Sequence, residues 1–165
     1  MKLLLTISTF LASLLSFSQN DTYSYQLYRI IADAENSFKN LRGEIKNISK
    51  KGDTVFHSNV TIEGSSQNEI SKSSSDSSKL TYYFSCRLDS NSIKEAKKLV
   101  DHFKRKTKKV LDKGYKVETF HHDHGRLIGE SRGFIFRGHG VVITIIYNII
   151  VSYPFAYSYL MVHKA

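Results

Sequence analysis

His121-His122-Asp123-His124 places three imidazoles and a carboxylate in a row, and both groups are ordinary ligands for zinc or copper. In an extended segment side chains alternate, so His122 and His124 point to one side and His121 and Asp123 to the other. Two ligands on one side do not make a site, and a third from His57, His139 or His163 depends on long-range folding. The spacing of helical zinc proteases, two histidines four apart beside a glutamate, is missing. The plain reading is a polar, partly protonated segment. The sharper alternative is a small metal-dependent hydrolase or metal-binding protein whose ligands are His121, His122 and His124.

Charge is the second chemical feature. The chain of 165 residues carries 24 Lys and Arg against 15 Asp and Glu, a net charge of +9. Between Asn91 and Lys116, ten cations face three carboxylates (Glu95, Asp101 and Asp112), a local excess of seven. On a helix turning 100° per residue, Ile93, Ala96, Leu99, Val100, Phe103, Val110 and Leu111 fall within an apolar arc of roughly 120°. Lys94, Lys97, Lys98, Lys104, Arg105, Lys108 and Lys109 occupy the opposite side as a solvent-facing ridge. Such a ridge attracts anions, whether on a membrane surface, an acidic envelope polymer or a protein partner. No aromatic residue interleaves with the ridge cations and no zinc-ligand or single-strand-binding signature accompanies them, which argues against nucleic acid.

Other chemistries lack their residues. The stretch from Gly125 to Gly140 matches neither a phosphate-binding loop nor a dinucleotide fingerprint, so no cofactor is expected. There is no Gly-x-Ser-x-Gly elbow and no pair of carboxylates in a setting that marks acid-base work. The expectation is a non-catalytic binding or interaction domain that uses a basic helix over 91–113.

The chain begins with an address. Lys2 precedes an apolar run from Leu3 to Phe17, and Ser16 and Ser18 are the small residues a signal peptidase inspects. Residues 1–18 therefore read as a cleaved export signal and 19–165 as one domain, exported to a periplasm or beyond. The apolar run is shorter than the roughly twenty residues of a membrane-spanning helix. The one cysteine, Cys86, rules out a disulfide within the chain. It alternates with polar neighbours on the apolar face of a strand, where a thiol behaves as a small hydrophobe.

The elements follow from hydrophobic periodicity. Leu27, Ile31, Ala34, Phe38 and Leu41 predict a first helix over 23–42, closed by Gly43. Strands are expected around 55–62 and 80–88, joined by a flexible serine-rich loop over 64–79. Ser92 and Glu95 form a capping box at the start of the basic helix, and Lys113-Gly114 its end. A strand over 115–120 and a glycine-rich turn segment come next. The 22 uncharged residues from Val141 to Val162 read as two buried strands rather than a membrane helix, because they are β-branched and interrupted by Asn148, Ser152 and Pro154. The sum is an α+β domain of order α-β-β-α-β-β(-β), an antiparallel sheet with two helices packed on one face.

Overall fold

The computed structural model describes residues 22–50, 52–73, 81–124, 129–150 and 156–165. The expected signal at 1–18, Gly125, Pro154 and the serines at 74, 75, 77 and 78 lie outside the described residues. The described chain is mixed α+β with a single antiparallel sheet. Its elements are α1 (Thr22–Ala34), β1 (Arg42–Ile48), β2 (Thr54–Ser58), β3 (Gln67–Ser73), β4 (Thr81–Ser90), α2 (Ile93–Val110), β5 (Lys116–Asp123), β6 (Gly129–Gly138), β7 (Val141–Ile150) and β8 (Ala156–Lys164). The strand order is β1-β2-β3-β4-β8-β7-β6-β5. A helix followed by four strands thus occurs twice, and the two halves join through their last strands, β4 and β8.

One row of side chains fixes the register. Ile70, Phe84, Val162, Ile143 and Phe136 are cross-strand neighbours on five successive strands, and all five are fully buried. A slip of one residue would turn each of them to the other face. Both helices contact β8, and α2 also contacts β4 and β7, so this row and the apolar sides of α1 and α2 share one core. Cys86 lies in that core as expected. Tyr157, Tyr159, Met161 and His163 alternate with the buried residues of β8 and form part of the opposite sheet face.

Several segments depart from the expected elements; the strand expected around 55–62, for one, ends at Ser58. The first helix stops at Ala34, because Asp33 accepts hydrogen bonds from the backbone N and side-chain Nδ2 of Asn40 (2.9 and 2.7 Å) and from Asn36 Nδ2 (3.3 Å). Those bonds stabilise a loop in which Ser37 and Phe38 adopt left-handed φ of 56° and 58°. Phe38 and Leu41 are nonetheless buried, so the period of three to four persisted without a helix, and Gly43 lies in β1. Part of the serine-rich segment is β3, held by Ile70 between Phe56 and Phe84. The glycine-rich turn segment is largely β6. Its Gly133 is required there, because a Cβ would stand 2.0 Å from the carbonyl oxygen of Ile145.

Candidate functional site

The basic helix is α2. Ser92 caps it by accepting from the backbone N of Glu95 at 3.2 Å, and Glu95 Oε2 accepts from the backbone N of Asn91 at 2.9 Å. A cap of this kind contributes about 1 kcal/mol. The helix ends at Val110, where the N–H of Leu111 still bonds to Thr107 O, three residues before the expected Lys113-Gly114. Its buried side is Ala96, Val100, Phe103 and Thr107. The Tyr23 hydroxyl lies 2.7 Å from Thr107 Oγ1 in the core, and the Tyr23 and Phe103 rings are 5.0 Å apart. These contacts from α1 fix the rotation of α2 about its axis and so decide which residues face water.

Lys94, Lys97, Lys98, Arg105, Lys108 and Lys109 are exposed. Among the described residues, none of these six pairs with a carboxylate. Lys104 belongs to the flank rather than the ridge: its Nζ is 3.5 Å from the centre of the Phe134 ring on β6, a cation–π contact over the sheet. Lys106 is likewise engaged, 4.0 Å from Glu63 and 5.4 Å from the Tyr23 ring centre. A recess of about 280 Å³ separates the last turn of α2 from β5, and its lining includes Lys108, Leu111, Asp112, Lys113, Val117 and Phe136.

A second recess, of about 330 Å³, lies between the two helix ends and includes Tyr28, Glu35, Asp112, Tyr115 and His139. Asp112 Oδ1 accepts from the Gly114 N–H at 2.8 Å and meets His139 Nε2 at 3.0 Å. These two contacts, the Gly114 bond foremost, hold its carboxyl below the usual range. His139 and Gly140 have φ of 47° and 71°, the left-handed pair of a two-residue hairpin turn. A Cβ at Gly114 would stand 2.3 Å from His139 Nε2, so glycine lets the ring approach. Both side chains of this pair are more than half exposed, and the Tyr115 ring stands 5.3 Å from that of His139. The arrangement ties a hairpin to the α2–β5 connection.

The histidine row is extended, as β5, and splits between the two faces of the sheet. His121 Nε2 meets Glu130 Oε2 at 3.0 Å on the helix side, where Arg132 Nη2 donates to the same oxygen at 2.7 Å. Arg132 above all holds the Glu130 carboxyl below its usual range. On the other face the His122 and His124 rings stand 4.5 Å apart, and His124 Nε2 is 2.7 Å from Ser131 Oγ. Ser131 donates its only proton to Asn148 Oδ1 at 2.6 Å, so it accepts from His124, which is then not positioned as its base. Among the described residues, no group of three His, Cys, Asp or Glu is placed to hold a metal. His57, His139 and His163 lie on β2, the β6–β7 turn and β8.

The partners Glu130, Arg132, Ser131 and Asn148 escaped the sequence reading, because each is brought to the histidines only by the β5–β6–β7 register. Cys86 is no nucleophile: burial pushes its thiol up to about 12, partly offset by a backbone hydrogen bond with Leu160. No protein family, curated protein or solved structure matches this chain.

Proposed function

We propose that this protein is an exported, non-catalytic binding domain that contacts an anionic partner through the exposed cations of α2. The observation that carries this reading is an inequality between two equivalent helices. The sequence of α1 contains a single cation, Arg29, whereas α2 exposes six without a carboxylate partner among the described residues. A helix that needed only solvation would not concentrate one sign of charge, since uncompensated like charges repel and weaken it. Export rests on the residue pattern of 1–18, and agrees with a partner outside the cytoplasm.

The test compares the protein with a variant carrying Lys97→Gln, Lys98→Gln, Arg105→Gln and Lys109→Gln. Association is measured with polyglutamate and with vesicles containing anionic lipid, over a range of salt concentrations. Each cation near such a surface contributes on the order of 1 kcal/mol, so loss of all four lowers affinity at least a hundredfold. The salt dependence flattens with it. Equal binding by the two proteins overturns the reading.

A further inference from the structure

We infer that the partner is an extended acidic polypeptide segment that adds to β5 as a further strand and lies in the groove between β5 and α2. This rests on the reading of α2 as the anion-contacting helix and names the chemistry and geometry of what it meets. The first ground is the edge itself. Among the described residues β5 ends the sheet, and its eight residues pair with β6 without a register shift. The His124 N–H points to Gly129 O at 2.9 Å. Antiparallel ladders alternate, so the even-numbered residues of β5 face β6. The N–H and C=O groups of Val117, Thr119 and His121 therefore point off the edge.

The second ground is the surface beside that edge. The buried cross-strand row of the core continues through Phe136 to Val117, and there it emerges, with Val117 40% exposed. Val117, Leu111 and Phe136 line the recess between β5 and α2, and Lys108 and Lys113 flank it. Lys104 stands over Phe134, the cross-strand partner of Thr119. A strand added outside β5 would lie two strand spacings from Phe134, about 10 Å, a distance that opposed lysine and glutamate side chains span together. Alternate residues of such a strand would face the apolar recess and the lysines.

The third ground is charge. Carboxylates near the groove are already engaged, Asp112 with Gly114 and His139 and Glu130 with Arg132 and His121. Lys108 and Lys113 have no such partner among the described residues. A second copy of β5 would bring the same lysines towards one another, which disfavours self-pairing. An anionic lipid surface would use the crest of α2 and leave the strand edge idle.

The probe is a terminally blocked nonapeptide in which every second residue is threonine and the residues between alternate valine and glutamate, so that one face carries both, with the same peptide N-methylated at every residue, which blocks both of its edges, as the control. Backbone amide exchange is followed on the full chain. Binding is expected to slow exchange at Val117, Thr119 and His121, to be lost on N-methylation, and to fall at least tenfold in Lys104→Gln/Lys108→Gln/Lys113→Gln. Thr119→Pro removes an N–H that β6 does not use, a position where an edge strand tolerates proline, and should abolish binding. If that variant fails to fold, the N-methylated peptide still decides on the unaltered protein, since equal binding of both peptides overturns the inference. No binding of the parent peptide at millimolar concentration overturns it as well. Vesicle or polyglutamate binding that α2 substitutions remove but Thr119→Pro spares would overturn strand addition and leave the anion-binding helix standing. Insensitivity to all α2 substitutions would overturn both.

Discussion

The two halves of the molecule share one plan, a helix followed by four strands, and differ in what their surfaces do with it. In the first half the outer strand is blunted. β1 is irregular, with two register shifts against β2, and Lys46 pairs with Glu69 of β3. Bulges and charges of this kind discourage another chain from docking on an edge. In the second half the outer strand β5 is regular over its whole length and lies beside a helix that carries most of the chain's charge excess. Both halves satisfy the same core, so the core cannot account for these differences. The shared core does not require them, and the proposed binding is built on them.

The comparison can be broken most forcefully at the glycines. In the second half, Gly133→Val would drive a side chain into the Ile145 carbonyl and part β6 from β7, with an expected loss of more than about 3 kcal/mol in denaturant unfolding. In the first half, Gly64 has a φ of 82° but nothing within 4 Å of its Cβ position. Gly64→Ala should therefore cost only about 1 kcal/mol, for backbone strain. Equal effects would mean that the two halves are equally tolerant.

Where the halves meet through their helices, Phe103→Ala should destabilise by about 3–5 kcal/mol. Tyr23→Phe should cost about 1–2 kcal/mol by removing the hydroxyl opposite Thr107. Combining Phe103→Ala with Tyr23→Ala, which removes the ring as well, should lose less than the sum of the two single variants, because the two rings touch; strict additivity in a thermal-unfolding cycle would show that this contact does not couple α1 to α2.

The smallest expected effect is on pH dependence. The carboxyls of Asp112 and Glu130 titrate below their usual range, so the native state binds fewer protons there than the unfolded chain. Their contribution is present above the ordinary carboxylate values and lost as pH falls through the lowered ones, below about pH 4. Asp112→Asn should flatten that acid limb of a stability–pH profile, and an unchanged limb would remove both the Gly114 and the His139 contacts of Asp112 from the account.

Much of this could be read from residues alone, and unevenly. The start of α2 was legible because its capping box is local, and the first of the two strands expected between Val141 and Val162 is observed as Val141–Ile150 because a β-branched run has few other uses. The side-chain alternation at His121 to His124 was legible for the same reason. The end of α1 was not, since Phe38 and Leu41 keep helical spacing while the Asp33–Asn40 contacts close a loop. β3 was hidden by its serines: one buried residue, Ile70, and two neighbouring strands outweigh poor composition. In the candidate site, the ridge cations followed from periodicity, whereas the engagement of Lys104 by Phe134 and the exposed edge of β5 exist only once the strands are ordered.

That order has a consequence in time. β4 closes the first half early in the chain, yet its neighbour in the sheet is β8, made after α2 and three further strands. Until those last residues arrive, the inner border of the first half has no mate, and its row of backbone groups is open to any passing strand. Pairings between such distant segments raise contact order and slow folding. The assembly should therefore close late, as a single event in which two half-sheets find each other, and premature release or truncation within β8 should yield sticky fragments.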